Sequence, residues 1–319
     1  MTIDTVAIAG TFSEEELEFS SSAEIQPLYK KANHHKCGVV DIDTNLDESF
    51  TTLKPNEFWP NAKISWHFFS IGDEYKKYSA SVDANIGLSK ADVDTVKAAM
   101  KQIEDKTCFK FELTKNPTKG QPWLLIQRIA RHRDLSCQLS YVQKSLVIRF
   151  PDTWLDYPWK QFKKEDVCFS GAFAFYGSAS PQFLVISKTK LDSTNQDDVG
   201  LIVHELLHNL GLGHTQKRQD AKDHIVINWK NIDEISHSQY KTCTSKDDPA
   251  CKYYNTYQTP YDCKSIMNYG DMTFITDEAK NQGLKTMVAK DPSTCELSSY
   301  GYSQLSETDI DLINKMYCK

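Results

Sequence analysis

The sequence predicts an α+β protein, because strand-like and helix-like segments are both clear and follow one another along the chain. The apolar, aromatic run at 61–71 is typical of a strand that enters a core. Two segments with apolar residues at helical spacing, 89–103 and 306–316, each begin with a serine that an aspartate follows three residues later. A third helix is predicted around a cluster of histidines at 204–214.

The bulk composition is that of an ordinary globular protein. The chain of 319 residues is long enough for one large or two medium domains, and it contains 40% hydrophobic and 25% charged residues. Its net charge of −6 gives no electrostatic footprint for nucleic acid. Because no run of about eighteen apolar residues occurs, a membrane-spanning helix is excluded as well. We therefore expect neither nucleic acid nor a membrane as a partner, and we expect a monomer.

The first 57 residues differ in character from the rest of the chain. They are polar and acidic, with the run SEEELEFSSSAE at 13–24, and they show no sustained periodicity. We predict a loosely structured leader at 1–57 and a folded domain at 58–319. The first ten residues lack the basic and long apolar stretches of an export signal, so either the protein is not exported or such a signal has been removed.

The cysteines favour export. None of the nine forms a C-x-x-C pair, so neither a zinc ribbon nor a thioredoxin-like motif is predicted. Dispersed cysteines at this density are typical of disulfide-bonded proteins from an oxidising compartment, which predicts a secreted protein. Because nine is an odd number, at least one thiol is left over. The nine are Cys37, Cys108, Cys137, Cys168, Cys243, Cys251, Cys263, Cys295 and Cys318.

Between these landmarks the chain predicts four more strands and one long irregular segment. The segment at 130–168 is rich in aromatic residues, and it is either a lid or exosite or a packed surface insertion. We prefer the insertion. The further strands are CFKFEL (108–113), WLLIQRI (123–129), FAFYG (173–177) and QFLVIS (182–187).

The segment HELLHNLGLGH, which begins at His204, has the spacing of a zinc site. On a helix His204 and His208 project from one face, so both can bind one tetrahedral metal ion. Glu205 follows the first ligand and can reach a metal-bound water without binding the metal itself. Gly211 permits the left-handed conformation that ends a helix, so the chain can turn back and present His214 as the third ligand. Three protein ligands leave one position open for water, which predicts a single catalytic Zn²⁺.

This extended motif resembles that of the metzincin peptidases, which also have a methionine turn beneath the metal. The segment SIMNYG matches such a turn, with Met267 as the methionine. Its S-x-M-x-Y form is similar to the astacin family, and the resemblance implies that Tyr269 is a fifth zinc ligand in the active form or a hydrogen-bond donor to the transition state. Without the neighbouring motif, a core aromatic would be the better interpretation of this tyrosine.

The resemblance implies a zinc endopeptidase that hydrolyses internal peptide bonds of proteins. Glu205 would be the general acid–base, and Met267 would form an apolar floor without chemistry of its own. Two rival functions stay open on the residues alone. One is a non-catalytic protein that keeps zinc as a structural relic, and the other is a zinc enzyme with a different substrate, such as an amidase.

The resemblance also implies a two-lobed α+β fold. A twisted, mostly parallel five-stranded sheet with helices would form the upper lobe, and a less regular lower lobe would include the C-terminal helix. TCFKF (107–111) and INKMYC (313–318) resemble the two ends of an astacin disulfide, which implies the pair Cys108–Cys318.

The chain departs from the family pattern at several positions. Thr215 stands where a glutamate that receives the new N-terminus is usual, and Asn268 replaces the usual histidine of the methionine turn. The segment at 130–165 has no counterpart in the minimal family domain. A family cysteine before the zinc helix is missing, so Cys168 is expected to pair elsewhere, with Cys137 as one candidate.

The leader contains HKCGVVD at 35–41, which resembles the cysteine switch of matrix metalloproteases. There a thiolate occupies the open position on the zinc and displaces the water. The resemblance implies that residues 1–57 are an inhibitory propeptide and that Cys37 is its zinc ligand, which leaves eight cysteines for four disulfides. Alternatively Cys37 is unpaired or pairs within the mature domain, and Asp41 is a second candidate for the inhibitory ligand.

Overall fold

The structure is a computed structural model. It describes residues 58–68, 88–115, 117–118, 120–128, 172–174, 182–186, 190–242 and 259–318. The predicted leader with Cys37 and Asp41 lies outside these residues, and so does the segment at 130–165. Besides Cys37, four more of the nine cysteines lie outside them, namely Cys137, Cys168, Cys243 and Cys251.

A five-stranded sheet forms one half of the domain. Its strand order is β2-β1-β3-β5-β4, in which β1 runs parallel to β2 and β3, and β3 runs parallel to β5. The short strand β4 lies antiparallel to β5 at the edge. The predicted mostly parallel sheet is therefore confirmed. The strands are β1 (Lys63–Phe68), β2 (Lys110–Leu113), β3 (Leu124–Arg128), β4 (Ala172–Ala174) and β5 (Gln182–Ile186).

The strand predicted at 61–71 begins two residues later than expected, at Lys63. Before it, Pro60–Ala62 forms one turn of 3-10 helix, and Asn61 in that turn has a φ of 58°. A positive φ is incompatible with a strand, so pairing can start only after the turn. The signal that identified this strand was its apolar composition, which does not mark where the extended backbone begins.

Helix α1 (Lys90–Glu104) begins at the predicted capping box. The Ser89 side chain accepts a hydrogen bond from the Asp92 backbone N–H, and the Asp92 carboxylate accepts one from the Ser89 N–H. Two of the N–H groups that a helix start leaves without partners are thereby satisfied. The predicted apolar face is buried in the core of the upper lobe, including Val96, Met100 and Ile103.

Helix α2 (Gln196–Asn209) carries the histidine motif and is buried on every side from Asp198 to its end. A helix buried all round belongs in the middle of a domain, because each face needs a packing partner. The carbonyl groups at its C-terminal end are satisfied by distant aromatic side chains. Nε1 of Trp59 donates to the Asn209 carbonyl and the Tyr317 hydroxyl to the Leu210 carbonyl, each at 2.7 Å. Both ends of the described chain therefore hold the end of this helix in place.

The lower half of the domain has its own core, which includes Tyr240, Tyr269 and Met287, so the two-lobed prediction is confirmed. It is less irregular than expected, because it also contains an antiparallel pair of strands, β6 and β7. Among the described residues no helix is long and apolar enough to cross a membrane. The elements of this half are α3 (Ala221–His224), β6 (Ile225–Ile227), α4 (Asp277–Asn281), β7 (Met287–Ala289) and 3-10 turns at Thr215–Lys217, Trp229–Asn231 and Glu234–Tyr240.

Contrary to the prediction, the C-terminal helix α5 (Glu307–Tyr317) is not part of the lower lobe but packs against the upper core. The reason is its apolar face, in which Ile313 is fully buried and Ile310 and Met316 are partly buried against that core. A disulfide between Cys108 and Cys318 joins its end to the segment that leads into β2, which confirms the predicted pair. A second disulfide, Cys263–Cys295, lies in the lower core. The sequence had marked both of these cysteines as disulfide candidates without pairing them.

Candidate metal centre

Three buried imidazoles converge between the two lobes. Nε2 of His214 lies 3.1 Å from Nε2 of His204 and 3.2 Å from Nε2 of His208. All three side chains are at most 4% exposed. Among the described residues these are the His, Cys, Asp and Glu side chains that could together hold a metal ion. The structure therefore brings together the three ligands that the sequence predicts.

The end of helix α2 orients His208. Gly211 has a φ of 99°, and the backbone N–H groups of Gly211 and Leu212 donate back to the carbonyls of His208 and Leu207. This is the Schellman arrangement, in which a left-handed residue reverses the chain. The reversal brings the Leu212 carbonyl 2.8 Å from Nδ1 of His208. The carbonyl can only accept, so Nδ1 carries the proton and Nε2 presents its lone pair towards His214.

The methionine turn orients His204 in the same way. Nδ1 of His204 lies 2.7 Å from the carbonyl oxygen of Ile266, the residue before Met267. The proton again resides on Nδ1, and Nε2 presents its lone pair to the other two histidines. A donor to a backbone carbonyl is the usual way in which a metal-binding histidine is fixed in one tautomer.

This donor set fits a tetrahedral zinc ion. Two nitrogen ligands about 2.05 Å from zinc at the tetrahedral angle are about 3.3 Å apart, close to the separations between the Nε2 atoms here. Without a cation, the Nε2 lone pairs of His204 and His208 would both point at Nε2 of His214. That nitrogen carries at most one proton, so it can donate to only one of them. Buried polar atoms are rarely left in such a conflict, so the arrangement is suited to a metal.

Glu205 lies directly after the first ligand and is fully buried in the same helix. Carboxylates are almost never buried to this extent unless they interact with a partner. Its position in α2, next to His204 and ahead of His208, agrees with the predicted role beside the metal-bound water. That role stays a prediction.

Met267 and Tyr269 lie on opposite sides of the boundary between the two cores. Met267 packs in the upper core and is 1% exposed, whereas Tyr269 belongs to the lower core and is 3% exposed. The ring centroid of Tyr269 is 4.4 Å from that of His214. The methionine turn therefore contacts the metal centre through the ring of Tyr269. Whether the phenol binds the metal stays a prediction.

Several polar residues around the centre were not identified from the sequence as part of it. Asp309 bonds to the methionine turn at Ser265 and Ile266. Its S-x-x-D pattern marked it as a helix-capping residue, and no local signal indicated a second set of contacts with a turn more than 40 residues away. The other residues missed are Gln216 and Gln239, which bond to Tyr269.

Thr215 occupies the position where a family glutamate is usual. Its hydroxyl donates to Ser265 Oγ at 3.1 Å, and its backbone N–H donates to the carbonyl of Met267 at 2.9 Å. The residue thus ties the third ligand, His214, to the methionine turn. Asn268, the other departure, uses its side-chain amide to bond the Cys263 carbonyl in the lower core.

The remaining described histidines take no part in the centre. Nδ1 of His67 bonds the carbonyl of Thr114, and Nε2 of His237 bonds the carbonyl of Trp229. The His224 ring stacks on Tyr261 with the ring planes 5° apart. Among the described residues these three histidines do not join a metal-binding group.

Comparison with known proteins points to one family. The model of the Astacin family of peptidases matches residues 161–318, which include the histidine motif and the methionine turn. Zinc metalloproteinase nas-11 of Caenorhabditis elegans is 28% identical over 233 residues, which are 73% of this chain and 31% of that protein. The chain thus spans about a third of the length of this relative.

A solved structure supports the fold. High choriolytic enzyme 1, a hatching enzyme zinc-protease from the medaka fish Oryzias latipes, matches with a TM-score of 0.52 and 21% identity. The match covers 84% of this chain and 98% of that one. Myroilysin also matches, over 83% of this chain and 97% of its own, with 16% identity and a TM-score of 0.38.

Proposed function

Because the chain belongs to the astacin family, we propose that it is a zinc-dependent endopeptidase that cleaves internal peptide bonds of proteins and peptides. The observation that carries the proposal is the convergence of three imidazole Nε2 atoms beside a buried glutamate. His204, His208 and His214 would hold one Zn²⁺.

Three neutral protein ligands leave a metal with an open position, and zinc held in this way polarises a carbonyl group and acidifies a water molecule. The chain supplies the geometry. Carbonyl groups of Ile266 and Leu212 fix the tautomers of His204 and His208, so no reorganisation of these rings is needed during the reaction. Burial of the site keeps bulk water away from the reacting groups.

Glu205 acts as the general base and then as the general acid. Its carboxylate takes a proton from the attacking water and passes it to the nitrogen of the leaving amine. Tyr269 donates a hydrogen bond from its phenol to the oxygen that becomes negative in the transition state. In the resting active form the same phenol would be a fifth ligand for the zinc, and Met267 would support the site without chemical participation.

The test compares casein hydrolysis by the active wild-type enzyme and by Glu205→Ala. Loss of the general base should reduce kcat by about 10²-fold or more, while bound zinc stays stoichiometric. Glu205→Gln is a matched variant that keeps the size of the side chain. Equal, measurable rates for wild type and both variants would remove Glu205 from the mechanism, whereas no hydrolysis by the processed wild type would favour a non-catalytic zinc protein. Cleavage restricted to the ends of protein substrates would favour another class of zinc hydrolase.

We also propose that the enzyme is a secreted monomer made as a latent zymogen. Disulfides such as Cys108–Cys318 and Cys263–Cys295 form in oxidising compartments, which supports secretion. Residues 1–57 are the inhibitory propeptide and 58–319 the catalytic domain. In the zymogen Cys37 occupies the open zinc position, and Asp41 is the alternative ligand.

A further inference from the structure

Asp309 is a buried carboxylate that the proposed reaction does not use. It lies in the first turn of helix α5 and is 3% exposed. As a capping residue it exchanges two bonds with Ser306, accepting from the Ser306 N–H at 3.0 Å and donating its own N–H to Ser306 Oγ. Helix caps of this kind do not require burial, and fully buried aspartates are rare. The cap uses only Oδ2 of the carboxylate, so it does not account for the bond that Oδ1 makes.

The other contacts of Asp309 are made with the methionine turn. Oδ1 accepts a hydrogen bond from the Ser265 hydroxyl at 2.6 Å, and Oδ2 accepts one from the Ile266 backbone N–H at 2.9 Å. Ser265 Oγ in turn accepts from the Met267 N–H at 3.1 Å. One side chain on the C-terminal helix thus holds three consecutive residues of the turn.

The turn is bonded directly to one metal ligand, His204, and to Thr215, the residue that follows a second ligand, His214. The Ile266 peptide unit is the link to the first, because its N–H bonds Asp309 and its carbonyl accepts from Nδ1 of His204 at 2.7 Å. On the other side, Thr215 follows His214 and bonds both Ser265 and the Met267 carbonyl. A shift of the turn would therefore move both rings relative to His208.

The burial of Asp309 is energetically unfavourable for its charged form. Burial raises the pKa of Asp309, while its hydrogen bonds from Ser265, Ile266 and Ser306 act in the opposite direction. An uncharged side chain would avoid this desolvation cost. A carboxylate at this position is therefore favoured only because it accepts several hydrogen bonds at once.

We propose that Asp309 is a positioning residue for the metal centre, which holds the methionine turn and, through the Ile266 carbonyl, the ring of His204. This inference rests on the proposed function, since it assumes that the three histidines bind zinc. It adds a requirement that the histidine motif does not contain: tight zinc binding depends on the N-terminal turn of the C-terminal helix.

The experiment measures zinc affinity by competition with a chromogenic chelator, together with thermal unfolding of the zinc-free protein. Four full-length variants are compared with wild type. Asp309→Ala removes both the cap and the contacts with the turn, whereas Ser306→Ala removes only the side-chain cap. Asp309→Asn keeps one oxygen for the two backbone N–H groups, and its amide can donate to Ser265 Oγ once the Ser265 hydroxyl turns to donate to Thr215 Oγ1 instead. Ser265→Ala removes the hydroxyl from the opposite end of the network.

Asp309→Ala should weaken zinc binding about 10-fold or more, in the range typical of residues that orient metal ligands. Ser306→Ala should lower the unfolding temperature and leave zinc affinity unchanged, and Asp309→Asn should restore most of the affinity. If Asp309→Ala does not fold, Ser265→Ala carries the test, and it should also weaken zinc binding.

The outcomes separate the two proposals. Equal zinc affinity for Asp309→Ala and Ser306→Ala, or for Ser265→Ala and wild type, would overturn the role of Asp309 while leaving the zinc enzyme intact. A wild-type chain that binds no zinc would overturn the proposed function and this inference together. The absorption spectrum of the Co²⁺-substituted protein is a second readout, because a displaced His204 changes the ligand field without any need for turnover.

Discussion

The phenol of Tyr269 donates a hydrogen bond to Oε1 of Gln239 at 3.5 Å. At this length the bond is weak, so the hydroxyl can exchange it for another partner at little cost. The tyrosine backbone is held more firmly, because its N–H donates to Gln216 Oε1 at 3.3 Å, and Gln216 also bonds the Gln239 carbonyl. The tyrosine ring packs edge-on against Tyr240 and Phe274. A fixed ring beside His214 thus carries a hydroxyl with a replaceable partner.

The first prediction is that Tyr269→Phe reduces kcat by about 10²- to 10³-fold, the effect of removing one donor to a developing oxyanion. The phenylalanine keeps the ring contacts with Tyr240 and Phe274, so folding and KM should change little. Steady-state kinetics on a peptide substrate separate the two constants. An unchanged kcat would show that the tyrosine is only a core aromatic.

Interactions between residues close in sequence were the ones that the sequence predicted well. The capping boxes of α1 and α5, the buried face of α2 and the three histidines all depend on spacings of about three to ten residues. The end of α2 was also predictable, because Gly211 is the residue type that tolerates its φ of 99°.

Contacts between distant segments could not be predicted in this way. The bonds from Asp309 to Ser265 and from Ile266 to His204 join residues 44 and 62 positions apart. Such pairs depend on how α5 and the methionine turn pack against the core, and no periodicity in the chain encodes that. The predicted pair Cys108–Cys318 was the exception, and it came from a family resemblance rather than from spacing.

The second prediction concerns Gly200, which lies in α2 against the segment before α5. A Cβ added at Gly200 would lie 2.5 Å from the Cα and 2.7 Å from the carbonyl oxygen of Ser303. Since backbone atoms cannot rotate away, α2 would have to shift. Alanine gains about 1 kcal/mol in helix propensity, but overpacking of a core costs about 1–3 kcal/mol, so Gly200→Ala should be destabilising overall.

Urea unfolding of the zinc-free protein measures this effect. Gln196→Ala is the matched control, because it removes the bond from Gln196 Nε2 to the Ser303 carbonyl without adding bulk in the contact. We expect the control to stay within about 0.5 kcal/mol of wild type, as an exposed substitution usually does. A Gly200→Ala variant at least as stable as wild type would mean that the two segments separate easily.

The third prediction is that the two described disulfides differ in their accessibility to reductant. Cys108 is exposed, whereas Cys263 and Cys295 are 6% and 4% exposed in the lower core. Because thiol–disulfide exchange requires access to a sulfur atom, Cys108–Cys318 should be reduced first under native conditions. Alkylation followed by peptide mapping identifies the bond that opens. Reduction of Cys263–Cys295 at the same rate in the folded protein would contradict its burial.

The fourth prediction tests latency through the leader. Wild-type full-length chain should be inactive on casein, and Cys37→Ser should be active without removal of residues 1–57. The reason is that a thiolate is a strong zinc ligand, whereas a serine hydroxyl stays protonated near neutral pH and competes poorly with water. Intact mass after the assay shows whether the leader is still attached.

Asp41→Asn is the control for this substitution, because it changes a nearby leader residue that is the alternative ligand. If Cys37 is the inhibitor, Asp41→Asn should stay latent, and only the cysteine variant should hydrolyse casein. The reverse pattern would transfer the inhibitory role to Asp41. In that case Cys37 would be either an unpaired thiol or part of a disulfide. Because the chain has nine cysteines, at least one of them would lack a cysteine partner. Peptide mapping of the zymogen distinguishes these two states of Cys37, since an unpaired Cys37 is alkylated without reductant, while a disulfide is not.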